Sequence, residues 1–407
     1  MQPNTISSHD TLNFPLLRIG LIGCGLRAPA FLNYFSQNPS HGEIVGLCDS
    51  FPEKAELLAN HYHLTTAIFD DADKMLEAVK PDAVIICTPD FAHVKPVVSA
   101  LESNIHVYCE KPMATTLKDC DTIIEAAKIS SAIFYLGFNL RHGLMHETIH
   151  QLITSGRLGK VTTIEANEYY YGGKTYFRRW NRLEKFGGGL WLTKACHDFD
   201  LLNWMAGAEP VSVYATANLS HYTSRKDAAS RCRDCVLRYT CPDYYDLSHP
   251  LNNEVEDIWR QFGLINERKT GQAADLCLFN SDKDTFDNGI AVLNFQNDIR
   301  ATYTVNVLAS CTTRQMRIIG TEGMLEGDME KGTITVVERH SFRTYTYDLH
   351  AQMTGGHGGA DDRIIHDFLL TLHQGKKPRS GWAEGRLAVK VSLAARESCA
   401  RNETVQL

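Results

Sequence analysis

A glycine turn between a strand and a helix constrains this chain more than any other feature. The run Leu17-Arg-Ile-Gly-Leu-Ile22 feeds Gly23-Cys24-Gly25-Leu26-Arg27-Ala28, a match to G-x-G-x-x-[GA], and apolar residues then recur at Phe31, Leu32, Tyr34 and Phe35. The six residues are weak evidence alone; strand, turn and helix in that order carry the argument. Gly23 permits the tight turn, Gly25 lets the backbone approach a pyrophosphate, and Ala28 lets the helix pack close to the strand. Pro29 suits the first helical turn. Leu26 and Arg27 complete the loop, with Arg27 placed either to pair with a cofactor phosphate or to face solvent. About twenty residues on, the strand 43–48 ends in Asp49, whose carboxylate would bind the adenosine ribose hydroxyls and repel a 2'-phosphate. Ser50 and Phe51 bring no arginine for such a phosphate. NAD is therefore expected over NADP; the competing reading is a glycine-tight turn that has lost its cofactor.

The rest of the first third keeps the same rhythm. Residues 17–23, 43–48, 66–69, 83–87, 105–109 and 132–138 read as strands, and 52–61 and 93–103 carry apolar residues at helical spacing. That alternation predicts a Rossmann domain over residues 1–140, a doubly wound parallel sheet with helices on both faces. After Asn139 the pattern changes to one helix near 145–156 and then strands near 160–170, 211–219, 289–296, 300–308, 314–320, 333–338 and 343–348. Strands in succession predict an α+β domain over 141–407 on a large open, mostly antiparallel sheet, with turn signals at Gln296-Asn-Asp298 and Glu322-Gly323. Residues 221–286 read as an irregular, cysteine-rich insertion, and 361–402 as a C-terminal helical segment.

A chain of 407 residues accommodates two domains. Its formal net charge of -7 is spread along the sequence, which argues against a nucleic-acid surface or a polybasic membrane patch. A small molecule is the expected partner. Residues 1–10 show no basic or apolar leader pattern, and no stretch approaches the ~20 apolar residues of a membrane span; a soluble, cytoplasmic protein is expected. Cys24, Cys48, Cys87 and Cys109 sit in apolar strand-like runs and read as reduced, buried thiols. Cys232-Arg-Asp-Cys235, then Cys241, gives C-x2-C-x5-C, with Cys277 available as a fourth thiolate. Those spacings suit a closed structural zinc, against which stand free thiols.

Three further segments carry candidate chemistry. Thr88-Pro89-Asp-Phe-Ala-His93 follows the fourth strand and would line the nicotinamide half of the crevice, with His93 touching cofactor or capping a helix. Glu110-Lys111-Pro112 ends the next strand; an ammonium there can hydrogen-bond a reacting hydroxyl or stabilise its alkoxide. His197 lies in a helical stretch after Gly187-Gly188-Gly189, and a histidine can take a carbinol proton at neutral pH. Asp200, three residues on, is placed to orient the imidazole or to bind substrate.

As a set, the glycine turn, Asp49, Thr88-Pro89 with His93, Glu110-Lys111-Pro112 and the segment from Gly187 through Thr193, Lys194, His197 and Asp200 to Trp204 resemble the Gfo/Idh/MocA oxidoreductase family over nearly the whole chain. The resemblance implies action on sugars, cyclitols or their derivatives, association through the open sheet into homodimers or homotetramers, and a substrate-orienting or acid/base role for Lys111. The commoner family pattern has an aspartate four residues before this histidine. Here that position is Thr193, followed by Lys194, a second cation that joins Lys111 and His197 as a catalytic candidate.

Substrate-binding candidates are Asn139, Tyr171, Arg178, Arg179, Asp200 and His357. Aromatic rings suit sugar C–H faces and an arginine fork suits a carboxylate, phosphate or sulfonate, so an anionic sugar is expected. His357, in a glycine-rich loop before Asp361, is placed to close over substrate. The leading expectation is NAD-dependent hydride removal from a sugar carbinol carbon. A redox-neutral NAD-dependent glycosidase acting on sulfonated or uronic glycosides is the alternative, and a non-catalytic NAD-binding regulator is the third.

Overall fold

The computed structural model describes residues 15–250 and 253–407; the stretch 1–10 read above for a leader lies outside them. Strands β1 (Leu17–Ile22), β2 (Gly42–Cys48), β3 (Ala67–Phe69), β4 (Ala83–Ile86), β5 (His106–Glu110) and β6 (Phe134–Gly137) form one parallel sheet in the order β3-β2-β1-β4-β5-β6. The runs are continuously apolar because both faces are covered: Ile19, Leu21 and Ile85 enter one core, Ile22, Val84 and Ile86 the other. Strand order reverses between β1 and β4, which opens a crevice at their carboxyl ends.

A second sheet contains β7 (Val161–Tyr171), β8 (Pro210–Asn218), β9 (Asn288–Phe295), β10 (Arg300–Asn306), β11 (Leu308–Gly320), β12 (Gly323–Asp328), β13 (Thr333–Glu338), β14 (Thr344–Asp348) and β15 (Val405–Gln406). Their order is β14-β13-β12-β11-β7-β10-β9-β8-β15, antiparallel throughout except for β10 against β7. Alternation in β9 sends Ala291 and Leu293 into the core and leaves Ile290 and Val292 exposed on the open face. The helix Trp382–Arg401 bridges the two sheets: Ala388 and Val389 pack with the first, Val391, Ala394 and Ala395 with the second. The helix Ala360–Gln374 adds Ile364, Ile365, Phe368 and Leu369 to the first core. Among the described residues, no helix is long and apolar enough to cross a membrane.

Three expectations need correction. The C-terminal segment is two helices, divided where Gly375 adopts φ +59° and residues 375–381 leave the helix. Strand β12 went unread because Gly323, Gly327 and two acids dilute its pattern; pairing with β11 and β13 forms it regardless. Gly327 is needed there, since a Cβ would lie 2.8 Å from Ile149 Cδ1. Finally, the insertion is not wholly irregular. It holds the helix Glu254–Thr270, capped by Asn253, whose side chain accepts from the Val255 and Glu256 amides at 3.0 and 3.2 Å. Ile258, Phe262 and Ile265 of that helix pack into the first core.

Candidate active site

The glycine turn has the geometry a dinucleotide requires. Gly23 sits at φ +95°, and a Cβ there would lie 2.4 Å from the Thr88 amide nitrogen, so no larger residue fits. Gly25 has nothing within 4 Å of its would-be Cβ, which leaves the turn open on one side. Ala28 is fully buried and Leu26 packs partly buried against the first core. At the end of β2, the Asp49 carboxylate accepts from the Cys24 and Phe51 amides, each at 2.9 Å. Lys54 Nζ stands 4.0 Å from Asp49, a cation that inspection of Ser50 and Phe51 alone overlooked.

Arg27 is engaged by two carboxylates within the protein. Its Nε donates to Glu110 at 2.6 Å and its Nη2 to Asp361 at 2.8 Å, so two carboxylates neutralise it and tie the turn to β5 and to the helix Ala360–Gln374. Glu110 thereby fixes the loop from below; its other oxygen accepts from the Lys111 amide at 3.3 Å. Asp361 also accepts from Asn139 Nδ2 at 2.7 Å and lies 2.9 Å from His357 Nδ1. Burial alone would raise this carboxyl, but His357 and Arg27 hold it far below the usual carboxylate range. His357 is thus tethered to the helix start, half-exposed at the edge of the site.

Across the crevice, His93 stands at the N-cap of the helix Val94–Glu102 but makes no side-chain cap bond there. It is fully buried, with Nδ1 2.8 Å from the Pro112 carbonyl and Nε2 3.0 Å from the Thr88 carbonyl, bracing the loop after β4 against the loop after β5. Pro89 starts the short turn Asp90–Ala92. Lys111 Nζ donates to the Thr193 carbonyl at 2.9 Å, which joins β5 to the segment before His197. His197 is buried, its ring centroid 6.0 Å from that of Phe138. Burial, then Lys111, Arg314, His357 and Lys194, hold its imidazole well below its ordinary proton affinity. Thr88 Oγ1, Asp90 Oδ2, Asn139 Oδ1 and His197 Nδ1 are all buried without a hydrogen-bond partner among the described residues. Native interiors rarely leave such atoms unmatched, and a bound cofactor and sugar would supply what they lack.

Asp200 does not orient the imidazole. Its two oxygens accept from Arg141 Nε at 2.8 Å and Nη2 at 2.7 Å, a buried fork that locks the helix Cys196–Ala206 to the residues after β6. Lys194 falls in the break between the helices Leu190–Thr193 and Cys196–Ala206, not on one helical face with His197. Its ammonium lies 2.8 Å from Glu168 and 4.1 Å from the Tyr170 ring centroid. Glu168 also pairs with Arg314, which reaches Asp198 at 2.9 Å, and Tyr303 donates to Asp198 at 2.8 Å. This buried network of two acids and two cations was invisible in the sequence, because β7, β11 and the His197 helix meet only in the fold.

The expected substrate residues separate clearly. Arg178 is spent inside the insertion, donating to the Leu276 carbonyl at 2.8 Å and the Asp243 carbonyl at 3.3 Å. Tyr171 is exposed, and strand alternation gives Tyr170 the position under Lys194 instead. Arg179 is different: half-buried, near Tyr170, Tyr245 and Tyr176, its guanidinium has no carboxylate partner among the described residues, and burial lowers its proton affinity. Phe91 adds an exposed ring against Trp180 and Phe186, with centroids 6.2 and 5.0 Å apart.

Cys232, Cys235, Cys241 and Cys277 line one cavity of about 20 Å³, room for one water-sized body. Backbone pairing of Arg231 with Leu276 brings the two ends together. All four are free thiols, yet among the described residues no three His, Cys, Asp or Glu side chains are arranged to hold a metal ion. The geometry therefore does not support the expected zinc site.

Comparison with known proteins agrees with this architecture. A family model described as an oxidoreductase family with an NAD-binding Rossmann fold matches residues 17–138, and that family's C-terminal alpha/beta domain matches residues 150–407. The chain is 29% identical over 386 residues to the putative oxidoreductase YteT of Bacillus subtilis, covering 88% of this chain and 89% of that protein. It is 29% identical over 191 residues to the D-glucoside 3-dehydrogenase of Escherichia coli, covering 47% of this chain and 54% of that one. The fold superposes on levoglucosan dehydrogenase, solved in complex with NADH and levoglucosan, with a TM-score of 0.75 and 17% identity, over 96% of this chain and 99% of the other. The chain belongs to the Gfo/Idh/MocA oxidoreductase family, with its NAD-binding Rossmann fold and C-terminal alpha/beta domain.

Proposed function

We propose that this protein oxidises a carbinol carbon of an anionic sugar or glycoside with NAD as the hydride acceptor. The observation that carries the substrate class is Arg179, a half-buried guanidinium left without a carboxylate while Arg27, Arg141, Arg178 and Arg314 are all engaged. A charged fork in that setting favours a planar anion. The exposed ring of Phe91, with the part-buried rings of Trp180 and Phe186 beside it, supplies an apolar wall for the sugar face.

Asp49 favours NAD, since a 2'-phosphate would meet its carboxylate. A bound nicotinamide supplies the acceptor for hydride. Lys111, held by the Thr193 carbonyl, donates to the reacting oxygen and stabilises negative charge developing there. His197 hydrogen-bonds the same oxygen in its neutral form, and Asn139 orients a neighbouring hydroxyl. Lys194, neutralised by Glu168, holds Tyr170 in place and acts on the substrate only through that ring. The open face of the second sheet, with Tyr214, Ile290 and Val292 exposed, is the surface we assign to a second copy of the chain.

Initial rates with NAD and either methyl β-D-glucuronide or methyl β-D-glucoside test the reading. Strong preference for the glucuronide is expected; equal turnover of the neutral sugar would remove the role given to Arg179.

A further inference from the structure

The loop after β4 carries a buried carboxyl group. Asp90 lies beside the reversal of strand order, is 7% exposed, and has an Oδ2 with no hydrogen-bond partner among the described residues. Its surroundings come from both halves of the molecule. The Lys111 ammonium and the Thr193 hydroxyl lower its proton affinity, and the like charge of Glu110 raises it. Cys109 of β5, Cys196 of the His197 helix and Tyr176 of the helix Gly173–Arg178 all sense its charge as well. Thr193 holds Lys111 by its carbonyl, at 2.9 Å. Thr193 is also the position where the commoner pattern has its aspartate.

We propose that Asp90 replaces that missing carboxylate and is the proton-holding group of the site, exchanging its proton with Lys111 and the carbinol hydroxyl. The inference rests on the oxidoreductase reading above. In the oxidising direction the carbinol O–H bond breaks and its proton passes to the Asp90 carboxylate, relayed by the Lys111 ammonium. The O–H electron pair becomes the second C–O bond, and the C–H pair departs as hydride, for which NAD is the oxidant. Burial pushes Asp90 up to about 7, against the pull of Lys111 and Thr193, so both protonation states are available near neutral pH. His197, held neutral among cations, is the weaker proton acceptor. A carboxyl serving only the turn Asp90–Ala92 would not need to be buried with an oxygen that no described residue satisfies.

The test has two arms on the full chain. Without substrate, infrared difference spectra across pH 5 to 9 should show a carboxyl band that titrates near neutrality in the wild type and vanishes in Asp90→Asn; no such band in the wild type overturns the inference whatever the reaction proves to be. With NAD and methyl β-D-glucuronide, Asp90→Asn should lower kcat by about 100-fold or more and abolish the limb of the kcat/KM profile that rises with pH near 7. Asp90→Glu should restore part of the rate, as should Thr193→Asp added to Asp90→Asn. A variant that keeps the limb refutes the proton role. A titrating band with no turnover by the wild type sinks the oxidoreductase reading while upholding Asp90 as the group that holds the proton.

Discussion

Replacing Asp200 with leucine separates two accounts of that residue. Its carboxylate makes two charge-assisted bonds to Arg141, 2.8 and 2.7 Å long, between side chains only 2% and 9% exposed. Asp200→Leu would strand a buried guanidinium, leaving it, among the described residues, its bond to the Arg379 carbonyl at 3.0 Å and its contact with Trp204. Breaking a buried pair this way costs about 3–5 kcal/mol. At roughly 2–4 °C per kcal/mol for a folding unit of this size, the melting temperature should fall by about 6–20 °C. The double variant Arg141→Leu/Asp200→Leu removes both charges and should recover most of the loss, giving a strongly non-additive cycle. Differential scanning calorimetry of the four proteins reads this directly. An Asp200→Leu protein that melts within 2 °C of wild type yet has lost turnover would refute the structural role and return Asp200 to the imidazole.

Other expectations follow from single contacts. Arg179→Met should raise KM for methyl β-D-glucuronide by ~10- to 150-fold, the worth of one charged hydrogen bond of about 1.5–3 kcal/mol, and leave kcat within a few fold in steady-state rates. Gly25→Val fills open space and should leave the fold intact while weakening NAD binding, by titration calorimetry, by ~5- to 150-fold, for an overlap of about 1–3 kcal/mol. Because burial pushes the folded Asp90 carboxyl up to about 7, above an unfolded aspartate at about 3.9, the stability that its protonated form contributes is complete below pH 4 and is lost as pH rises through 7. Asp90→Asn should therefore melt higher than wild type at pH 8 and converge with it at pH 4. Light scattering should find an oligomer that Ile290→Arg/Val292→Glu reduces to a monomer.

Much of this was legible in the chain because its signals are local. The glycine turn with Asp49 and the Lys111 strand end lie within short segments whose spacing sets their placement. Alternation in β7 to β11 revealed the second sheet for the same reason. What escaped needed contacts distant in sequence: Arg27 meets Asp361 across more than three hundred residues, and Glu168, Arg314 and Asp198 come from three elements. No spacing rule says which arginine finds a carboxylate, so Arg178 and Arg179 looked alike. The helix Glu254–Thr270 is the exception, since its Asn253 cap, acidic first turn and apolar residues at 258, 262 and 265 were all present in the sequence.

The reaction itself is tested most directly by following both products at once. Purified protein is given NAD and p-nitrophenyl β-D-glucuronide, with NADH and p-nitrophenolate quantified by rapid quench and chromatography. NAD-dependent oxidation of a sugar carbinol predicts NADH in one-to-one ratio with an oxidised glycoside whose aglycone is still attached. Release of p-nitrophenolate with no net NADH would contradict it, and would mean that this site returns its hydride to the sugar.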